Sequence, residues 1–289
     1  MGYILLFCAV LCGSIKGYSG KVTSGALVTL PHKLYFAAIR TALCAIISLL
    51  IVVFTDGFPD VSAASVIISV ISGISMSVFL LSWIAAVCYG GYVRLDVCCQ
   101  TGMVIPCVFA APILGESVSV VQYIALGFLL LSIVLLSDRG KKEQSKLSVR
   151  EGMLLIVVWL SSGINSLTLK LHSNIGEGSG TFYNFVTFVV AAVAFSVVYG
   201  VFRVKNGKVT LPKNHYTVYL PVMAVCLYLN TFLQTVAAKY LDAMIMFPLV
   251  TVLGLLFSAI MAAVFFKEKP TVKNIIGIIV AGAAIIAMQ

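Results

Sequence analysis

Long apolar stretches alternate with short polar connections along all 289 residues. Stretches of about 18 or more apolar residues are typical of helices that cross a bilayer. The pattern predicts ten such helices, at 2–20, 32–54, 62–87, 92–113, 119–137, 151–171, 181–202, 216–238, 243–266 and 271–288. We therefore expect an all-α membrane protein with ten transmembrane helices.

Composition excludes a soluble protein. The chain is 61% hydrophobic and 10% charged, whereas soluble domains carry about 25% charged residues. The net charge of +9 does not require a nucleic-acid partner, because basic connections hold the cytoplasmic side of multi-span proteins. We expect the lipid bilayer as the protein's environment and no nucleic acid as a partner.

One polar connection, 138–150, divides the chain near its midpoint and carries most of its charge as Lys and Arg. It defines a first repeat at 1–137 and a second at 151–289. Shifting the first half by 152 residues places Glu116 on Glu268, each at the same hairpin turn. Because each half has five predicted spans, the halves cross the membrane in opposite senses. Inverted repeats of this kind are typical of transporters with a site near the membrane midplane.

Charge asymmetry predicts the orientation. Connections after odd-numbered spans hold most of the Lys and Arg residues, whereas Asp and Glu dominate the opposite side. The positive-inside rule then places the central connection in the cytoplasm and both termini outside.

Arg94 and Asp96 are the strongest candidates for a substrate site. They lie between apolar runs, where a charge near the bilayer centre costs about 2.5–3.5 kcal/mol. Two residues apart on a helix, they diverge by about 200°, so facing one point requires an unwound segment, which Gly90 and Gly91 permit. We expect Arg94 to bind a carboxylate or phosphate and Asp96 an ammonium group. The alternative is structural: Arg94 snorkels, and Asp96 pairs with Lys16 or Arg94.

Further candidates are polar or aromatic side chains within apolar spans: Lys16, Trp83, Asn165, Tyr228 and Gln234. Lys16 has a structural alternative, in which it reaches the basic side of the membrane. Trp83 has another as an interfacial anchor. Arg40 is expected to brace neighbouring carbonyls or an acid. Glu116 is expected to cap the helix that follows it, since carboxylates are favoured at helix N-termini.

Nothing in the sequence indicates an enzyme, a metal site or a cofactor. All eight Cys residues fall in apolar runs without zinc-ligand spacing. The three His residues, His32, His172 and His215, all fall at span ends, outside any nucleophile–base arrangement.

Several short motifs resemble the drug/metabolite transporter superfamily in its ten-span EamA-type form. They are Tyr240-Leu-Asp-Ala-Met-Ile-Met-Phe-Pro248, Phe265-Phe-Lys-Glu268 and Ile275-Ile-Gly-Ile-Ile-Val-Ala-Gly-Ala, echoed in the first half by Ile113-Leu-Gly-Glu116. The resemblance implies two inverted five-helix bundles in a bacterial cell membrane, with spans five and ten outside a central cavity. It also implies transport of small molecules, often export of amino acids.

Two departures from the family pattern refine this hypothesis. The family-like Pro248 aligns with Asp96, so the charges of span four stand where relatives are apolar. Span one lacks the acidic residue with which the small multidrug resistance branch exchanges protons, so proton coupling by that route is not supported, and other proton or ion coupling stays open.

The sequence therefore predicts an alternating-access exporter of an amino acid or related zwitterion. A transporter of organic cations and a non-transporting membrane assembly subunit are the alternatives. Both a monomer and a homodimer are compatible with the sequence.

Overall fold

The computed structural model of the chain describes residues 1–24, 30–56, 61–89, 92–137, 148–175, 179–206, 216–266 and 272–288. These residues form helices and turns, with no strand among them. The α-helices are α1 (Gly2–Ser24), α2 (Leu30–Ile51), α3 (Ala63–Tyr89), α4 (Tyr92–Thr101), α5 (Val104–Val108), α6 (Val120–Ser137), α7 (Val149–Ile175), α8 (Gly180–Asn206), α9 (Tyr216–Ala237), α10 (Ala243–Phe266) and α11 (Val272–Met288). A short π-helix, Val52–Asp56, extends α2.

The described helices confirm a helical, multi-span membrane protein. Six segments are long and apolar enough to cross a membrane: Gly2–Gly20, Leu30–Thr55, Ala63–Ala86, Val149–Ile175, Gly180–Val204 and Val218–Ala237. Four shorter apolar segments are Val97–Val108, Val120–Ile133, Ala243–Phe257 and Ile275–Met288. Each of the ten predicted regions thus contains helix, while six reach spanning length within the described residues.

The fourth predicted region, 92–113, contains two helices and not one. α4 ends at Thr101, and α5 begins at Val104 after a turn at Gly102 and Met103. Pro106 explains the break, because it has no N–H to donate to the carbonyl of Gly102 four residues earlier, and its ring crowds that carbonyl. The Gly102 oxygen instead accepts the Ile105 N–H at 3.1 Å. The break predicted at Gly90 and Gly91 falls outside the described residues.

Helices of one half pack mainly against helices of the other half. The most extensive pairings are α3 with α7, α1 with α9, α6 with α11 and α2 with α8. The α1–α9 pair is antiparallel, since Gly2 lies against Leu241 and Gly20 against Met223. The α6–α11 pair is also antiparallel, because Gln122 near the start of α6 donates to the Met288 carbonyl at the end of α11.

Apolar side chains fill the interior and also cover the outer surface. The largest core cluster joins α1, α6, α9, α10 and α11, with Leu6, Leu129, Met246 and Ala281 fully buried. Large apolar residues such as Phe128 and Ile279 remain exposed on the same helices that supply this core. Continuous exposed apolar surface is unfavourable in water and fits lipid chains.

Candidate functional site

Arg94 and Asp96 lie on α4, in the part of span four that precedes the break. Their side chains lie outside the described part of the structure, so their role in the site stays a prediction. The backbone position is favourable for a site, since irregular backbone at membrane depth is tolerated where it is buried in protein or lines a polar path.

Lys16 faces α9 from the middle of α1. Residues three and four apart share a helix face, and Gly13 and Gly20 on either side of Lys16 both approach α9, at Asn230 and Met223 respectively. Lys16 is half-buried in this interface. The structure thus places its ammonium group at the level of the middle of α9.

Arg40 reaches the same part of α9 from α2. It lies one turn before Cys44, whose thiol donates to the Ala224 carbonyl of α9 at 3.3 Å. The Arg40 Nε is buried and has no hydrogen-bond partner among the described residues. The positive charges of Lys16 and Arg40 are close enough to repel each other. Sequence reasoning proposed carbonyls or an acid as partners of Arg40, and within the described residues none is present.

Gln234 and Asn230 extend this polar region along α9. The Gln234 Nε2 donates to the Asn230 Oδ1 at 3.1 Å, and the Asn230 Nδ2 donates to the Ala9 carbonyl of α1 at 2.7 Å. Of the sequence candidates, the structure therefore brings Lys16 and Gln234 to one interface. Asn230 and Arg40, which were not among the predicted site residues, join them there.

Asn165 belongs to a different polar cluster, between α3, α7 and α8. The Ser72 hydroxyl donates to the Asn165 Oδ1 at 3.1 Å and is 2.7 Å from the Tyr183 hydroxyl. The Tyr183 ring also packs on His172, with ring centroids 4.6 Å apart. Sequence reasoning missed Ser72, although a signal exists: buried serines recur on one face of α3, at Ser65, Ser69, Ser72 and Ser75.

Tyr228 and Trp83 lie in apolar surroundings. Tyr228 is 1% exposed and stacks on Phe232 with an interplanar angle of 10°. Trp83, on α3, is half-buried and packs beside clusters centred on Phe195 and Val158. Trp83 lies on α3, whereas Tyr228 lies on α9 between Met223 and Asn230 and belongs to one cluster with Cys44. Both stay predictions as substrate contacts.

Glu116 caps a helix, but not the one predicted. Its two carboxylate oxygens accept the N–H of Ala243, the first residue of α10, at 2.9 and 2.8 Å. The expected partner was α6, the next helix in the chain. Glu116 also forms an ion pair with Lys170, which sequence reasoning did not connect to it.

The described residues do not form a metal site. Among the described residues no group of three His, Cys, Asp or Glu side chains is placed to hold an ion. The described polar groups at the α1–α9 interface and in the cluster around Ser72 are two cations, carboxamides and hydroxyls, which are suited to binding a polar molecule.

Comparison with known proteins extends these observations. A solved structure described only as "Crystal structure of protein" is similar over 99% of this chain and 95% of its own chain, with a TM-score of 0.78 and 10% identity. At that identity the likeness shows a shared fold. No curated protein matches the chain. The model of the EamA-like transporter family matches residues 150–288. The second half of the chain therefore carries the sequence pattern of the EamA-like transporter family.

Proposed function

We propose that the chain is an alternating-access transporter built from two inverted repeats of five helical regions. The packing of helices between the two halves is the observation that carries this proposal. It supports extending the family pattern from residues 150–288 to the whole chain.

The packing obeys an exchange rule. Let the first-half helices α1, α2, α3, α4–α5 and α6 correspond in order to α7, α8, α9, α10 and α11. When each helix is replaced by its counterpart, the α1–α9 contact becomes the α7–α3 contact, and the α2–α9 contact becomes the α8–α3 contact. The α1–α10 contact becomes the contacts of α7 with α4 and α5. The α2–α8 and α6–α11 contacts are each converted into themselves. Together with the antiparallel α1–α9 and α6–α11 pairs, this exchange supports a two-fold axis in the membrane plane, which is typical of transporters.

The substrate we propose is a small polar metabolite, namely an amino acid or related zwitterion, moved outward. Charges within the spans support a polar substrate, because their insertion is costly unless they serve a partner or a path. The broken fourth span supports a site at that level, as discontinuous helices form many transporter sites.

Counterflow in liposomes tests the proposal. The purified full chain is reconstituted into vesicles preloaded with one unlabelled amino acid, and uptake of the same radiolabelled amino acid is followed. We expect transient accumulation above protein-free vesicles for at least one member of an amino-acid panel. The accumulation should be lost in Arg94→Ala and Asp96→Ala and kept in Lys239→Met, which removes a charge from an exposed position after α9.

Two outcomes would contradict this function. Accumulation of choline without that of any amino acid would indicate a cation transporter, and Arg94→Glu would then preserve or increase it. A chain that folds and reconstitutes but moves neither class would indicate a non-transporting membrane subunit.

A further inference from the structure

Lys16 and Arg40 are like charges within the first two apolar segments of the chain. Lys16 lies eight residues before the end of α1 at Ser24, and Arg40 ten residues after the start of α2 at Leu30. With a rise of about 1.5 Å per residue, these positions are about 12 and 15 Å from the connected ends of the two helices. Within the apolar segments long enough to span a membrane, Arg40 lies near the middle of Leu30–Thr55 and Lys16 lies four residues before the end of Gly2–Gly20, so both cations are within candidate spans.

Both side chains approach one segment of α9. Lys16 lies on the α1 face that contacts α9 between Met223 and Asn230. Arg40 lies one turn from Cys44, which is bonded to Ala224 in the same segment. The cations therefore flank α9 from two sides.

The described carboxylates are engaged elsewhere. Glu116 binds Lys170 and the start of α10, Glu151 lies in the first turn of α7, and Asp242 is exposed before α10. No carboxylate in the described residues contacts Lys16 or Arg40. Two positive charges within the spans that no described carboxylate neutralises are unfavourable, and a bound anion would remove much of that cost.

We propose, on the basis of the transport function above, that Lys16 and Arg40 bind the anionic group of the substrate. The group is a carboxylate or a phosphate monoester held between α1, α2 and the 223–230 segment of α9. The Arg40 guanidinium offers a planar pair of donors suited to either group, and Lys16 adds a point charge. A zwitterion places its carboxylate here, in place of the contact with Arg94 expected from the sequence, whereas a purely cationic substrate is repelled.

Ligand binding to the purified full chain tests this site. Thermal unfolding is measured with charge-matched pairs at constant ionic strength: succinate against succinamide, glycerol 3-phosphate against glycerol, and leucine against leucinamide. We expect the first member of at least one pair to raise the unfolding temperature and the second to have no effect. The pair that responds distinguishes a carboxylate from a phosphate.

Variants assign the effect to the two cations. Lys16→Met and Arg40→Met should each raise the dissociation constant of the responding anion by tenfold or more. Arg40→Lys should retain part of the affinity, and Lys239→Met should bind the anion as tightly as the unmodified chain. Anion binding that is unchanged in Lys16→Met and Arg40→Met would overturn the proposal, and so would stabilisation by leucinamide but by no anion.

The ligand-free protein gives a second readout that does not depend on the panel. Without an anion the two cations repel, so Lys16→Met should raise the unfolding temperature of the unliganded chain. A decrease would reveal an internal counter-charge and overturn the proposal, even if counterflow of another substrate showed that the chain is a transporter. Loss of counterflow with intact anion binding would instead contradict the transport function alone.

Discussion

Glu116 and Lys170 form an ion pair between the two halves of the chain, with 3.3 Å between Oε1 and Nζ. Both side chains are largely buried, at 9% and 5% exposure. Glu116 also accepts the N–H at the start of α10, and Lys170 donates to the carbonyls of Ala238 and Leu241 at 2.9 and 2.7 Å. This cluster, the Glu116–Lys170 clamp, fixes the turn between α9 and α10 to the end of span four.

Breaking the Glu116–Lys170 clamp from one side should be strongly destabilising. Glu116→Gln leaves the Lys170 ammonium without a counter-charge and weakens the cap of α10, so we expect a loss of about 3–5 kcal/mol in unfolding free energy. Lys170→Met should have a similar effect by isolating the carboxylate. Denaturant unfolding in detergent measures both changes.

The double variant Glu116→Gln/Lys170→Met is the control for this pair. Removing both charges should cost clearly less than the sum of the single changes, since coupled residues are not additive. Additive losses would show that the ion pair itself contributes little.

Close helix contacts at Gly73 and Gly163 should not tolerate a methyl group. A Cβ on Gly73 would lie 2.6 Å from the Val190 Cβ, and one on Gly163 would lie 2.7 Å from the Gly102 carbonyl oxygen. We expect Gly73→Ala and Gly163→Ala each to lose about 1–3 kcal/mol, as overpacking usually does. Thermal unfolding of the purified variants provides the measurement.

Gly254 is the matched control, because a Cβ there meets nothing within 4 Å. Gly254→Ala should be neutral or should stabilise α10 by up to about 1 kcal/mol, through the higher helix propensity of Ala. Equal losses at all three positions would contradict the assigned contacts.

Ser72 should contribute more to stability than its size suggests. Its hydroxyl bridges Asn165 and Tyr183 in a buried site, so Ser72→Ala leaves two buried polar groups with one partner fewer. We expect a loss of about 1–3 kcal/mol in unfolding free energy. Ser77→Ala on the same helix is the control, since its hydroxyl donates only to Gly73 one turn away and its loss should be nearly neutral. A neutral Ser72→Ala would show that the bridge is not important.

His172 should be replaceable with a gain in stability. It is 3% exposed, and neither ring nitrogen has a hydrogen-bond partner among the described residues. His172→Phe keeps the aromatic contact with Tyr183 and removes the unpaired polar atoms, so we expect a rise of about 1 kcal/mol in unfolding free energy. His172→Ala, which also removes the ring contact, should be less stable than His172→Phe in the same unfolding assay. A fall in stability for His172→Phe would indicate a polar partner outside the described residues.

The pattern of apolar and polar residues was sufficient to predict the positions of most helices. Long apolar runs predicted nine of the helical regions within a few residues, because insertion of a helix into a bilayer depends on its own composition. The break after Thr101 was also encoded locally, in Pro106 and Gly102, and was missed because the surrounding residues remain apolar. Charge was harder to interpret: sequence reasoning favoured Arg94 over Arg40, although both lie within apolar runs.

Partners between the two halves could not be predicted from spacing. Glu116 contacts a helix that begins more than a hundred residues later, and Ser72 contacts Asn165 and Tyr183 across two other helices. Such contacts depend on which faces of the helices meet, and an apolar sequence constrains those faces weakly. The inverted relationship predicted from five spans in each half stays a prediction, and the exchange of contacts between the halves is the observation that supports proposing it.

The Glu116–Lys170 clamp has a consequence for how the two halves depend on each other during biosynthesis. Residues 150–288 match a family model as one unit, yet the carboxylate that caps α10 and neutralises Lys170 comes from residue 116. Because the first half is synthesised first, the Glu116 carboxylate enters the membrane before the second half does. The segment that matches the family model therefore depends on a carboxylate of the first half to cap α10 and to neutralise Lys170.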